Sequence, residues 1–306
     1  MRREQAKTLP VRACIIFNPA AKGEKARQFR RHLDVIGSQC VLKATSAPGD
    51  GRRLAAEALA DGFEVVIAAG GDGTLNEVLN GFGDVPNGFE NACLGVLPLG
   101  TVNVFARELG IPTHPEPAWE VIRRRREMRI DLPCVEHGPP GGRQRRYFAQ
   151  LAGAGLDARA IELVNWPLKK KIGPLAYIVA GLKALLERPA SVAVSAGTQE
   201  ATGQLVLIGN GRLYGGQFQV FPRGDLCDGL LEVCVFPRTN WFTLARCGPP
   251  LLLRGKLPGS AVQRFQASTV TLSGQFRTPL EVDGELAGQL PATFSVQRAK
   301  LRVLVP

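Results

Sequence analysis

The stretch Val65-Val66-Ile67-Ala68-Ala69-Gly70-Gly71-Asp72-Gly73-Thr74 decides the fold. Its unbroken apolar run, Val65 to Ala69, reads as a strand buried on both faces, the pattern of a parallel sheet covered by helices. The glycines that follow allow positive φ and close backbone approach. Successive N–H groups can then line a concavity for phosphate where the helix predicted over Leu75–Phe82 begins. An acid inside such a loop repels phosphate unless a divalent cation lies between them, so Asp72 points to Mg²⁺ and a nucleoside triphosphate. The competing reading is a tight strand-to-helix turn in which Asp72 only caps the helix.

The flanking sequence repeats the pattern. Cys14–Phe17, Val41–Ala44 and Leu94–Leu97 are further apolar strands. Helical patterns lie between them: from the loop Asn18–Gly23 to about Ile36, over Gly51–Ala60 with Asp50 as N-cap, and from the loop Pro98–Asn103 to Leu109. Strands alternating with helices predict a parallel α/β domain whose ligand sits at the loops after the strands. Lys22, Thr101 and Asn103 are polar groups at that edge. Beyond Met128–Cys134 the character changes. The charged turn Glu136–Arg146 is followed by short β segments at Tyr147–Leu151, Val192–Ser195, Leu205–Ile208, Phe218–Phe221, Leu230–Phe236, Val262–Phe265, Val270–Leu272 and Phe294–Val296, which predict an antiparallel sandwich. One helix, Gly173–Glu187, interrupts them with Leu175, Ile178, Val179, Leu182 and Leu186 on one face. Residues 1–135 are thus expected as one domain and 136–306 as a second, the last segment being a candidate to pack back on the first. The ligand cleft is expected between them.

Composition narrows the function. The 306 residues carry 38 Lys plus Arg against 27 Asp plus Glu, a net charge of +11, which draws anionic partners to the surface without deciding the fold. Part of the excess is in runs: Arg123–Arg126, Arg143, Arg145 and Arg146, and Lys169–Lys171. Solvated helix ends and loops are the plain reading of each. Seven scattered cysteines with no C-x-x-C pair suggest neither a disulfide framework nor a zinc site, and a reducing cytoplasm fits them. The three histidines are not spaced as metal ligands or as members of a hydrolase triad. The N-terminal apolar stretch is short and interrupted by Arg12, so it reads as a strand and not a signal peptide, and no apolar run approaches the roughly 18 residues of a membrane span.

Other phosphate motifs are absent or incomplete. No G-x-x-x-x-G-K-[ST] occurs, and the protein-kinase set is missing. Gly153-Ala154-Gly155-Leu156-Asp157-Ala158 matches G-x-G-x-x-A, yet no strand ending in an acid follows about twenty residues on, so it reads as a turn. In Leu280-Glu281-Val282-Asp283-Gly284-Glu285, Asp-Gly between apolar positions signals a hairpin. Asp283 and Glu285, two apart, could also emerge on one face of an extended segment, one accepting a proton from a substrate hydroxyl and the other positioning metal or water. Asp225 and Asp228 precede the strand Leu230–Phe236, as a turn or as carboxylates that hold a cation with backbone oxygens.

Taken together, Asn18–Gly23, GGDGTLNEVLNG, PLGTVNVFARELGIP, GAGLDA, NGRLYGGQFQVFPRGDLCDGLLEV and LEVDGE resemble the soluble diacylglycerol kinase and sphingosine kinase family of lipid kinases. GGDGT alone is shared with NAD kinases and phosphofructokinases; its continuation NEVLNG, the PLGT-x-N-x-F-A segment and the later GG-x-F stretch select lipid kinases. The resemblance implies ATP- and Mg²⁺-dependent transfer of the γ-phosphoryl group to a lipid hydroxyl, diacylglycerol first and sphingosine or ceramide as alternatives. It implies an ATP site at Asn18, Thr45, Gly70, Gly71, Asp72, Gly73, Thr74, Leu75, Asn76 and Thr101. Asp225, Asp228 and the backbone oxygen of Leu230 would surround a structural Mg²⁺, and Glu285, supported by Asp283 and with Asp72 across the site, would be the proton acceptor. Val104 stands where many relatives have Asp, and Gly224 where many have Ala. An NAD kinase and a catalytically dead binding module are the rival functions; the chain lacks the aromatic-interleaved basic strands of a nucleic-acid platform. The basic surplus then suits peripheral contact with an anionic membrane, through Trp166, Pro167 and Lys169–Lys171 or through Trp241, Phe242 and Leu251–Leu253, although each apolar face also reads as core.

Overall fold

A computed structural model describes residues 12–19, 21, 23–31, 39–139, 142–163, 175–187, 190–274 and 277–306. The chain forms two compact units, one of residues up to Leu132 together with Arg298–Pro306, the other Pro133–Gln297.

The first unit runs β1 (Ala13–Phe17), α1 (Glu24–Arg31), β2 (Val41–Ala44), α2 (Asp50–Ala60), β3 (Val65–Gly70), α3 (Asp72–Gly83), α4 (Gly88–Asn91), β4 (Cys93–Pro98), α5 (Val104–Glu108), α6 (Pro115–Arg124) and the start of β5 (Glu127–His137). β2, β1, β3 and β4 lie side by side in that order, all parallel. Every residue of β3 and β4 is buried, as their unbroken apolar runs require of a doubly covered sheet. The C-terminal segment adds a parallel neighbour, with Val303 opposite Leu94. It is tied down where Asp131 accepts the Ala299 N–H at 2.8 Å and Val305 N–H donates to Arg126 O at 2.9 Å.

Two helix starts differ from the sequence expectation. α2 begins at Asp50 with Gly49 at the N-cap. Asp50 is turned back instead onto the Ser46 and Ala47 N–H groups, at 2.8 and 3.0 Å. The cap comes from the neighbouring helix: Glu77 of α3 accepts the N–H groups of Gly49 and Gly51, both at 2.8 Å. α3 itself starts three residues earlier than Leu75, at Asp72.

The second unit holds the end of β5, β6 (Gln144–Tyr147), β7 (Leu151–Gly155), α7 (Leu156–Glu162), α8 (Leu175–Leu186), β8 (Val192–Ala196), β9 (Gln199–Gly203), β10 (Leu205–Gly209), β11 (Leu213–Tyr214), β12 (Phe218–Gln219), β13 (Leu231–Phe236), α9 (Trp241–Arg254), β14 (Gln263–Ala267), β15 (Thr269–Gly274), β16 (Pro279–Val282), β17 (Glu285–Gln289) and most of β18 (Ala292–Leu304). β14-β13-β10-β7-β16-β17 form an antiparallel sheet, and the β18-β15-β8-β9 ladders face it. Between them Val206, Ile208, Val233 and Val235 meet Val194, Val270, Leu272 and Phe294 in one core. The alternate residues, Leu207 and Cys234, point the other way into a second core with Phe221, Cys247 and Val262. This is the expected sandwich, with one sheet buried on both sides by the period-2 pattern.

Two sequence expectations give way here. Tyr147–Leu151 is not one strand, because a carboxylate draws the N–H groups of residues 149–151 out of the ladder, as described below. On α8 Ala180 and Ala184 are buried while Leu182 and Leu186 are exposed, so these two leucines of the predicted face do not point into a core; the side chains of Leu175, Ile178 and Val179 lie outside the description. Trp166, Pro167 and Lys169–Lys171 lie outside the described residues. All seven cysteines are free thiols, and burial pushes those of Cys40, Cys93 and Cys234 up to about 12.

Candidate active site

In the first unit the strand order places Asn18 after β1, Thr45 after β2, the β3–α3 turn within Gly70–Asn76 after β3 and Thr101 after β4, all at one edge of the sheet. The order 2-1-3-4 reverses between β1 and β3, and open parallel sheets bind ligands at such a switch point. Two of these loops are packed back to back. Leu99 and Gly100 N–H groups both donate to Gly70 O, at 2.9 and 3.2 Å. Asn103, in the left-handed region at φ 53°, is the N-cap of α5. Its side chain accepts the Gly100 N–H at 3.0 Å and donates to Gly100 O at 2.7 Å. A Cβ on Gly100 would lie 2.5 Å from Gly71 Cα, so only glycine permits this approach.

The result is a small cavity lined by Ala68, Gly70, Gly71, Asp72, Leu75, Val96, Pro98, Asn103 and Ala106. The N-terminus of the 12-residue α3 lies at it. Helix geometry leaves the first-turn N–H groups without a carbonyl of their own helix, and the dipole makes this end positive. Gly71 occupies the N-cap, so Asp72 is a first-turn residue and not the capping one. The other predicted residues divide. Thr101 and Asn18 are exposed, and Thr45 is tied to Phe17 O through its N–H at 2.9 Å. Asn76 is buried, and its backbone oxygen accepts from Asn80 Nδ2 at 2.8 Å. Lys22 lies outside the described residues.

In the second unit Asp283-Gly284 forms the expected hairpin turn between β16 and β17, with φ of 47° and 83°. Asp283 and Glu285 do not share an extended face, because Asp283 is in the turn itself. Its carboxylate accepts the N–H groups of Ala149, Gln150 and Leu151 at 2.8, 3.0 and 3.2 Å. Glu285 opens β17, partly exposed, and pairs with Arg146 at 2.6 Å. Arg146 also donates to Leu286 O at 3.2 Å and so fixes the hairpin beside the carboxylate it holds. Of that basic run Arg145 pairs with Glu136 in turn, so the run is only partly free charge.

Beneath the turn is a carboxyl pair that sequence reading did not single out. Glu281 is fully buried, and its Oε2 accepts the Gly284 N–H at 2.9 Å. Asp157 accepts the Tyr214 hydroxyl at 2.7 Å. A point one bond out from Gly153 Cα lies 2.9 Å from Glu281 Oε1 and 3.0 Å from Asp157 Oδ2, so the two carboxyls converge there. With both ionised, Glu281 Oε1 has no donor; a proton held between the two groups supplies it. Burial, and then the charge of Asp157, hold the Glu281 carboxyl well above the usual carboxylate range, and Asp283 adds to the effect. Burial likewise raises Asp157, against the Tyr214 hydrogen bond. The folded chain thus keeps a proton that the unfolded chain releases above the ordinary carboxyl range, so stability falls as pH rises from that range toward the raised value, by up to about 1.4 kcal/mol per pH unit. Urea unfolding between pH 5 and pH 9 is expected to show this decline in the native protein. In Glu281→Gln, whose amide donates to Asp157 and accepts from Gly284, the decline is expected to flatten.

The residues named for a cation lie in one loop. Asp225 accepts the Cys227 N–H at 2.9 Å, and Asp228 accepts the Leu230 N–H at 2.8 Å and Gln266 Nε2 at 3.3 Å. The donor set, two carboxylates and a backbone carbonyl, is all oxygen and suits Mg²⁺ in kind. Among the described residues no group of three or more His, Cys, Asp or Glu side chains is arranged to hold a metal ion. Gly224 is required where it stands, since a Cβ there would meet Gly211 O at 2.3 Å.

Comparison with known proteins accounts for both halves. Residues 12–135 match the Diacylglycerol kinase catalytic domain, and residues 150–305 match the YegS C-terminal NAD kinase beta sandwich-like domain. Relatives named diacylglycerol kinase from Staphylococcus saprophyticus and Staphylococcus carnosus are each 32% identical over 308 aligned positions, covering 96% of this chain and 95% of theirs. The chain belongs to the diacylglycerol kinase family. The family is one of lipid kinases, and the chain is an enzyme of that class. A crystal structure of a diacylglycerol kinase from Bacillus anthracis shares the fold with a TM-score of 0.75 at 20% identity, covering 97% of both chains. Yeast NADH kinase is more distant in fold, at a TM-score of 0.54 and 10% identity. Within the family frame, Val104 is a buried apolar residue in α5.

Proposed function

We propose that the protein phosphorylates diacylglycerol to phosphatidic acid, using ATP and Mg²⁺, at the cytoplasmic surface of a membrane. The observation that carries this reading is the α3 N-terminus with Asp72 in its first turn, set at the switch point of a parallel sheet in a chain of the diacylglycerol kinase family. ATP would supply the phosphoryl group, and Mg²⁺ would offset its charge. Within the stretch Gly70 to Asn76, the N–H groups of Gly71 to Thr74 would hold the phosphates, Asn18, Thr45 and Thr101 would bind the remainder of the nucleotide from the neighbouring loops, and Asp72 would hold the cation. Asp225, Asp228 and the Leu230 carbonyl are the groups for a second, structural Mg²⁺. Glu285 accepts the proton of the attacking lipid hydroxyl, while Asp283 and Arg146 keep the hairpin and its carboxylate in position. The free cysteines support the cytoplasm, and among the described residues no helix is long and apolar enough to cross a membrane.

The acceptor is tested with γ-labelled ATP against diacylglycerol, monoacylglycerol, sphingosine, ceramide, phosphatidylglycerol and NAD. Label is expected to move fastest to diacylglycerol. Faster transfer to sphingosine or ceramide would reassign the lipid, and transfer to NAD would reassign the class.

A further inference from the structure

Helix α9 presents an apolar stripe to solvent. Trp241, Phe242, Leu252 and Leu253 are 56, 72, 74 and 84% exposed. With Ala245 and Pro249 they follow the spacing i, i+1, i+4, i+8, i+11, i+12, one arc of about 120° on a helix. The opposite side is anchored, since Cys247 is buried in the second core of the unit and Leu251 packs on it. The helix is also capped, with the Asn240 side chain accepting the Thr243 N–H at 2.9 Å. The stripe is therefore held outward by a fixed helix; exposed aromatic and aliphatic groups at such spacing mark an interaction surface.

Charge identifies what the surface meets. From Val233 to Leu280 the sequence has no Asp or Glu, while Arg238, Arg246, Arg254, Lys256, Arg264 and Arg277 are all basic. Arg238, Arg246, Arg254 and Lys256 are exposed at or beside α9. A protein partner for so large an apolar stripe would not call for a purely basic surround, whereas a bilayer with anionic headgroups satisfies both features: apolar side chains enter the acyl boundary and cations stay among phosphates. Trp241 suits the boundary itself, having an apolar body and an N–H that can remain in the polar layer.

We propose that α9 lies in the plane of an anionic membrane, with Trp241, Phe242, Leu252 and Leu253 inserted and the flanking Arg and Lys residues on lipid phosphates. The proposal deepens the reading of the protein as a lipid kinase and rests on it for its purpose, but docking and catalysis are measured separately. The full chain is sedimented with vesicles of phosphatidylcholine alone and of phosphatidylcholine with phosphatidylglycerol, at low and high salt. The native protein is expected to sediment with the anionic vesicles, with a blue shift of Trp emission that is lost in Trp241→Phe. Phe242→Ser/Leu253→Ser is expected to lower partitioning by on the order of tenfold or more. Arg246→Gln/Arg254→Gln/Lys256→Gln is expected to lower it about fivefold per charge on anionic vesicles only. The double variant keeps its turnover of a dispersed short-chain diacylglycerol and loses turnover of the vesicle-bound lipid. If the native protein turns over neither lipid yet still sediments as described, the kinase reading fails and the docking surface stands. The docking proposal is overturned if the native protein does not sediment, if it sediments equally with neutral vesicles, if the double variant binds as the native protein does, or if the stripe instead drives self-association that the double variant abolishes.

Discussion

Asp72→Asn is expected to lower phosphoryl transfer by about 10³-fold, the scale of removing one preorganised electrostatic group from a transition state. Glu285→Gln is expected to lower kcat by roughly 10²–10⁴-fold, the contribution of a positioned general base. The two losses have different signatures. Asp72 occupies the first turn of α3, and its carboxylate is the negative group of that loop. In the proposed site its loss is expected to weaken the hold on the metal–nucleotide complex and to raise the Mg²⁺ concentration needed for half-maximal rate. Glu285 touches the acceptor hydroxyl in this scheme, so its loss is expected to appear in kcat with nucleotide binding unchanged. Neither residue is part of the buried core, so circular dichroism is expected to match the native protein and the thermal midpoint to stay close to it. Near-native turnover in both purified variants would remove these residues from the site.

Asp283→Ala is expected to produce the largest loss of stability. One carboxylate accepts three backbone N–H groups, those of Ala149, Gln150 and Leu151. Removing it leaves those donors without their acceptor, at a cost of about 2–4 kcal/mol. For a chain of 306 residues unfolding as one unit that lowers Tm by roughly 3–6 °C. Asp283→Asn retains one acceptor oxygen and is expected to fall between. Both variants also release the turn before Glu285, so their activity loss should exceed what unfolding at the assay temperature explains. A thermal midpoint unchanged in Asp283→Ala would show that the contact to residues 149–151 carries no net stability.

The sheet of the first unit was legible because its strands are unbroken apolar runs separated by helical patterns; Val65–Ala69 before Gly70 already specifies a doubly covered strand. The loops were legible for a related reason, since Gly and polar residues directly after buried strands must lie at one edge of a parallel sheet. Contacts between residues far apart in the chain were not. Arg146 and Glu285 meet across 139 positions, and in sequence Arg146 is one member of an ordinary basic run. Glu77 caps α2 from 26 residues away, which left Asp50 as the only visible candidate. Glu281 and Asp157 each sit in a recognisable motif, but their shared proton depends on burial and on the backbone at Gly153 being bare. Asp283 looked like a neighbour of Glu285 on an extended strand; the positive φ at Asp283 and Gly284 turned it toward residues 149–151 instead. The exposure of α9 was hidden for another reason, because a Trp, Phe and Leu stripe at helical spacing has the same pattern whether it faces a core or a membrane.

Transfer of label from γ-labelled ATP to diacylglycerol, followed in parallel for the native protein and for Asp72→Asn, tests most directly whether the α3 loop is the phosphoryl-transfer site of a diacylglycerol kinase. Labelled phosphatidic acid is expected from the native protein in the presence of Mg²⁺, with about 10³-fold less from the variant. No labelled lipid from the folded native protein, or equal label from the two, would contradict it.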